Sequence, residues 1–191
     1  MTADPDAATI ERLHARLVDA AAAEGSLDVV YRTVDSPLGR LLIAATPAGL
    51  VRVAYASEGH DEVLATLAGR VSPRVLRAPG RLDDVARELD DYFAGRRRVF
   101  DLRLDLQLAH GFRREVLTSL PSIAYGTTAS YAAVAERAGK PRAVRAAASA
   151  CATNPLPIVI PCHRVVRSDG SLGGYLAGPE AKQTLLRLEA A

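Results

Sequence analysis

The chain has 191 residues, of which 49% are hydrophobic and 24% charged. That length and balance suit one large globular domain or two small ones, and exclude whole-chain disorder, collagen and coiled coil. No apolar run approaches the roughly 20 residues of a membrane-spanning helix, and the polar opening segment (MTADPDAATIERLH) carries no apolar signal-peptide core.

Two cysteines without a CxxC spacing argue against a disulfide scaffold and a cysteine-rich zinc site. A soluble cytoplasmic protein with no membrane partner is the expectation. The net charge of +2 is unevenly spread. Residues 106–191 carry ten Lys/Arg against five Asp/Glu, a net of +5. Residues 1–105 carry fourteen against seventeen, a net of −3. This asymmetry points to a polyanion that meets only the C-terminal half; chance unevenness of two solvated surfaces is the plainer alternative.

In chain order, residues 6–24 read as an amphipathic helix. Asp4-Pro5 can start it, Gly25 can end it, and Ile10, Leu13 and Leu17 fall near one face. Three strand signals follow. Val29, Tyr31 and Thr33 alternate with other residues; Leu41-Leu42-Ile43 comes after the turn Ser36-Pro37-Leu38-Gly39. Residues 50–55 come after the turn Thr46-Pro47-Ala48-Gly49. Together they predict an antiparallel meander. Helical patterns cover about 61–69 and 82–94, and residues 99–106 (VFDLRLDL) alternate as a half-buried strand should.

The second half reads as helices over 111–121, 131–138 and about 141–152. Ser130 is an N-cap and Gly139-Lys140-Pro141 a turn. Two short helices across a Gly-containing turn form a helix-turn-helix signature. The second (PRAVRAAASACA) is almost all Ala and Ser apart from Arg142 and Arg145. It lacks the long polar side chains of a major-groove reader. Its small residues suit close approach to a packed core or to a narrow DNA groove. The division predicted is a helical extension at 1–27, an α/β unit at 28–106 and a mostly helical unit at 107–191, an α+β protein overall.

The chemistry concentrates in Asn154-Pro155-Leu156-Pro157-Ile158-Val159-Ile160-Pro161-Cys162-His163-Arg164. An apolar, strand-like run stiffened by prolines delivers a Cys followed by a His. A thiolate is a strong nucleophile, and neighbouring basic groups such as His163 and Arg164 can lower a thiol pKa. Adjacent side chains of an extended chain point apart, so direct contact of Cys162 with His163 does not follow from the sequence, and a bridging water is one way to link them. A buried, inert cysteine is the plainer alternative, and Cys151, mid-helix among alanines, fits it well.

Pro161-Cys162-His163-Arg164-Val165, preceded by Asn154-Pro155-Leu156-Pro157-Ile158, resembles the active-site signature of the O6-alkylguanine-DNA alkyltransferases, also called methylated-DNA–protein-cysteine methyltransferases. Tyr125-Gly126, Ser130-Tyr131, Arg145, Gly173-Gly174-Tyr175 and the tail Lys182, Leu185-Leu186, Glu189 continue the likeness with spacing intact over about 110–191. The alkyltransferase half of bacterial Ada-type proteins is the nearest in flavour. The first half is similar to the family's variable N-terminal domain mainly in length and strand order.

The resemblance implies a ribonuclease H-like N-terminal sheet with covering helices and a winged-helix-like C-terminal domain. It implies irreversible transfer of one alkyl group from O6-alkylguanine in double-stranded DNA to Cys162, with no cofactor and no metal; O4-alkylthymine is a further substrate to test. His163 would deprotonate Cys162 through a water, and Glu189 would orient His163. Tyr131 would bond the purine and help guanine leave as a neutral base. Arg145 would fill the place of an extruded nucleotide, with Ala146 and Ser149 also against DNA. Asn154 would be a hinge. Val165, Tyr175, Leu176, Ala177 and Lys182 would line the substrate pocket. The partner is duplex DNA, bound by a monomer, electrostatically and without sequence preference; cooperative binding is left open.

The chain departs from the family pattern at Thr127, where an acidic residue is usual. Ala148 and Ser149 stand where glycines are frequent, and the wall reads Tyr175-Leu176-Ala177-Gly178. Pocket width and DNA affinity are the properties these touch. His14, His60 and His110 read as surface residues. A cysteine hydrolase and a helix-turn-helix regulator with an inert cysteine are the rival readings. Stoichiometry separates them: a hydrolase turns over, a regulator leaves Cys162 unmodified, and an alkyltransferase stops at one equivalent.

Overall fold

A computed structural model describes residues 5–190. Asp4, expected at the first helix start, lies outside the described residues. In the first half α1 (Pro5–Ala23) leads into β1 (Val29–Val34), β2 (Leu41–Thr46) and β3 (Gly49–Tyr55). There follow α2 (His60–Arg70), β4 (Val75–Arg77) and α3 (Asp83–Phe93). The strand order is β3-β2-β1-β4. The predicted meander forms, β1 antiparallel to β2 and β2 to β3. β4, which no sequence signal announced, adds in parallel to β1, so the sheet is mixed.

β2 is apolar from Leu41 to Ala45, and Leu41–Ala44 are buried because both faces are covered there. Leu42 and Ala44 pack with Val63 and Leu67 of α2, while Leu41 and Ile43 pack toward α3 and the C-terminal half. This is the two-residue period of a strand put to use on two cores. The second core is continuous with Val116, Leu117, Val134, Ala147 and Leu185, so the two halves share one interior.

Two expectations are corrected. Residues 99–104 alternate in exposure, but Asp105 is buried and the segment forms no strand; a single parallel bridge links Leu104 to Leu50. Leu50 donates to Arg103 O at 2.8 Å and Asp105 donates to Leu50 O at 2.8 Å, and pairing stops there. In α1 the expected inward face is turned out: Ile10, Leu13 and Leu17 are exposed, and Val18 is the buried position. Glu11 and His14 lie on the same side as Val18. They reach Arg77, through an ion pair at 4.0 Å and a hydrogen bond to its carbonyl. Positions 11, 14 and 18 form one helical row, and it faces the sheet edge.

The second half holds α4 (Gly111–Ser119), β5 (Ala129–Ser130), α5 (Tyr131–Arg137), α6 (Val144–Ala152), β6 (Val165–Val166) and α7 (Gly178–Ala190). Ser130 caps α5 as expected, its Oγ accepting from Ala133 N at 3.1 Å. β5 and β6 pair in parallel, Ala129 with Val165 and Ser130 with Val166. That short ladder ties the start of α5 to the chain just beyond Cys162. No helix among the described residues is long and apolar enough to cross a membrane.

Candidate active site and DNA-facing helix

The segment leading to Cys162 is not the strand that its composition suggests. Asn154 rolls it into turns: its Oδ1 accepts from Leu156 N at 2.9 Å, and its Nδ2 donates to Ile160 O at 2.9 Å. Prolines 155, 157 and 161 have no N–H for a ladder. Ile158 takes a φ of 73°, a costly conformation for a β-branched residue. The whole run 154–166 is buried.

Cys162, His163 and Arg164 form a 3₁₀ turn. Asn154 Nδ2 lies 3.1 Å from Cys162 Sγ, so one amide shapes the loop and touches the thiol. Burial pushes the thiol up to about 11, against the pull of the Asn154 hydrogen bond and the Lys182 charge. The cation that lowers it is thus Lys182 and not, as expected, Arg164. At rest the group is a protonated thiol, and a base must act before it can be a nucleophile.

His163 is fully buried, and its Nε2 meets Glu189 Oε1 at 2.8 Å. Burial lowers the His163 pKa, outweighing Glu189, so the imidazole rests neutral. Its Nδ1 is buried with no partner. Burial alone would raise Glu189, but hydrogen bonds from His163 and Arg164 outweigh it and bring the carboxyl down to about 2. Arg164 grips Glu189 as a fork, Nε to Oε2 and Nη2 to Oε1, both at 2.9 Å. Its Nη1 donates to Ile123 O at 2.6 Å. A neutral imidazole beside a fixed carboxylate can take up a proton and hold it.

Two partners of this cluster escape the sequence reading. Tyr92 of α3 donates to Glu189 Oε1 at 2.7 Å, and its hydroxyl lies 3.4 Å from His163 Nε2. The spacing Val85, Glu88, Leu89, Tyr92 marks it as inward-facing, but nothing in the sequence places it beside residue 189. Gly126 N donates to Glu189 Oε2 at 3.3 Å. With φ at 74°, Gly126 lies so close to α7 that a Cβ there would sit 2.8 Å from Glu189 O.

The expected pocket wall lies partly around this centre. Lys182 is fully buried, its Nζ donating to Val165 O at 2.5 Å and also to Leu172 O. Tyr131 stands 5.8 Å under that ammonium. Its hydroxyl would lie 2.9 Å from a Cβ at Gly173, so the loop needs glycine to pass. Tyr175 OH meets Tyr55 OH of β3 at 2.8 Å, an unforeseen partner. Leu176 and Ala177 are half-buried on the same loop.

On α6, Arg145, Ala146 and Ser149 are exposed, while Ala147, Ala150 and Cys151 are buried. The helix therefore offers a smooth face of small residues with one long cation. Of the three histidines read as surface, His110 is exposed, whereas His14 and His60 are half-buried. Among the described residues no His, Cys, Asp or Glu cluster is arranged to hold a metal.

Comparison with known proteins agrees with this geometry. A family profile described as "6-O-methylguanine DNA methyltransferase, DNA binding domain" matches residues 111–191. Its companion, "ribonuclease-like domain", matches residues 29–106. The chain belongs to the 6-O-methylguanine DNA methyltransferase family. Within that family it is 38% identical over 161 residues to a methylated-DNA–protein-cysteine methyltransferase of Mycolicibacterium paratuberculosis, covering 84% of this chain and 92% of that one. It is 40% identical to the bifunctional transcriptional activator/DNA repair enzyme Ada of Escherichia coli, covering 86% of this chain but 46% of Ada. A crystal structure of the Mycobacterium tuberculosis protein in complex with DNA superposes with a TM-score of 0.72 at 35% identity, covering 84% of this chain and 92% of that one.

Proposed function

We propose that this chain repairs alkylated guanine in duplex DNA by moving the alkyl group onto Cys162, once per molecule. It is a methylated-DNA–protein-cysteine methyltransferase. The observation that carries the assignment to Cys162 is its place in one 3₁₀ turn with His163, whose Nε2 is held by Glu189.

In the proposed reaction the Cys162 proton passes through a water to His163 Nδ1, the nitrogen that Glu189 leaves free. The thiolate attacks the alkyl carbon in line, the S–C bond forms and the C–O6 bond breaks. The electron pair left on guanine is quenched by a proton from Tyr131, so the base leaves neutral. Burial raises the Tyr131 pKa, so the phenol is protonated at rest and a weaker acid than a free one, and its proton moves only as charge builds on the purine. The thioether product has no leaving group, so the step is irreversible.

Access to O6 requires the nucleotide outside the stack. Arg145 fills the gap, and Ala146 and Ser149 allow α6 to lie close to the duplex. Asn154 is the hinge that fixes the thiol relative to α6. Val165, Tyr175, Leu176 and Ala177 wall the flipped base, with Lys182 holding the wall through Val165 and Leu172 carbonyls. Residues 28–106 form the supporting unit, 107–191 the reacting unit and 1–27 a helical extension. Both cysteines are free, and a reducing cytoplasm would keep Cys162 available to a monomer working alone.

Intact mass after incubation with a duplex containing one O6-methylguanine, followed by peptide mapping, tests the reading. A gain of one methyl on Cys162 is expected. An unmodified Cys162 in folded, reduced protein overturns it. A duplex with O4-methylthymine tests the wider substrate range.

A further inference from the structure

Between the two halves lies a cleft of about 220 Å³ that the alkyl-transfer reading does not use. Arg52 from β3, Arg70 from the end of α2 and Arg113 from α4 converge on it, and Thr153, Asn154 and Leu176 close its far side. Glu58 is the one carboxylate lining it, and Arg52 already takes that charge in an ion pair. Arg52 is further locked onto Pro155 O at 3.1 Å. Arg113 donates to Thr153 O, but its Nε is buried with no partner. Arg70 is exposed and has no carboxylate partner among the described residues. Burial lowers the Arg113 pKa, and the nearby charges of Arg70 and Arg52 add to it. Two guanidinium groups thus face one small space without a counter-charge. Planar forks of this kind favour phosphate.

The cleft lies where DNA would pass. Arg145, Ser149 and Ala152 are all exposed and follow the helical spacing that puts them in one row along α6. Ala152 and Thr153 continue that row into the cleft. At roughly 1.5 Å per residue, the row from 145 to 152 spans about 10 Å, the axial length of about three nucleotides. Leu176, on the opposite lip, belongs to the loop that walls the base pocket.

We infer that Arg70 and Arg113, braced by Arg52, form a phosphate site that clamps the DNA backbone past the C-terminal end of α6. The inference rests on the alkyl-transfer reading for its ligand. It gives the acidic N-terminal half a direct part in holding the strand, and it fixes the distance from that phosphate to Asn154 and the thiol.

The test is the salt dependence of binding to a short undamaged duplex, with the full chain and its Arg70→Ala and Arg113→Gln variants. Removing one guanidinium that neutralises a phosphate should lower the slope of log K against log salt by about one. Arg40→Ala, far from the cleft, should leave it unchanged. In parallel, Cys162 is alkylated with O6-methylguanine as the free base, which has no phosphate. Its rate should be the same in all variants. Unchanged slopes in both cleft variants overturn the inference. Inorganic phosphate that competes at matched ionic strength, with slopes unchanged, overturns it too, because the cleft then takes a free anion and not the strand. If neither a duplex carrying O6-methylguanine nor the free base methylates Cys162 of the unaltered chain, the underlying reading fails instead.

Discussion

Cys151 and Cys162 are both buried, both free and only eleven positions apart, yet they live in different chemistry. Burial pushes Cys151 up to about 12 and Cys162 up to about 11. Cys151 sits in a helix of alanines, and no described residue donates a hydrogen bond to its sulfur. Cys162 has the Asn154 amide on its sulfur and His163 as its chain neighbour, backed by Glu189, Arg164 and Tyr92. A buried thiol is inert by default; the polar groups packed around it decide whether it becomes a tool.

The sharpest break of that comparison is substitution. Cys162→Ala should abolish methyl uptake entirely, while Cys151→Ala should leave the stoichiometry at one; peptide mapping reads both. Next in size is Glu189→Gln. Loss of the carboxylate behind His163 should slow transfer by roughly 10²- to 10⁴-fold, measured by quenched single-turnover kinetics. It also strands the Arg164 charge, at a cost of about 3–5 kcal/mol that denaturant unfolding should detect. Cys151→Ala should show neither effect.

The same carboxylate sets an acid limit. Its folded pKa of about 2 lies below the ordinary 4.5, so it stabilises the fold fully above pH 4.5. That contribution is lost as pH falls from about 4.5 to about 2. Thermal melts across this window should show the loss, and Glu189→Gln should flatten it. Tyr92→Phe removes one donor to the charged group, worth about 1.5–3 kcal/mol. It should raise the lower edge of the acid window, an effect that a mere packing defect would not produce. The smallest effect is Ser130→Ala, which costs about 1 kcal/mol through the lost α5 cap and leaves the thiol's surroundings intact.

The proposed nucleophile and base and the cap of α5 are local features: Cys162 and His163 are neighbours in one turn, and Ser130 precedes the helix that it caps. The mode of delivery was not legible in the sequence. A run rich in Ile, Val and Pro reads as extended, and only the side chain of Asn154, satisfying Leu156 and Ile160, explains why it turns. Residues 99–106 alternate as a strand does, yet a strand also needs a partner edge, and the sheet offers them just Leu50. Tyr92 and Glu189 are 97 positions apart, so their contact depends on how α3 and α7 pack. In α1, the spacing of Ile10, Leu13 and Leu17 did not foretell that Val18 would be the buried position and His14 the half-buried one beside Arg77.

Gly126 extends this lesson to heredity. It has no side chain to titrate, bond or react, and a survey of residues by chemistry would pass it over. Yet its backbone lies against α7 so closely that a single added methyl would press on the carbonyl of Glu189. A saturation screen for survival under alkylating stress should therefore score Gly126 among the least replaceable positions. Its alleles would resemble those of Glu189 in phenotype while leaving every reactive atom of the protein in place.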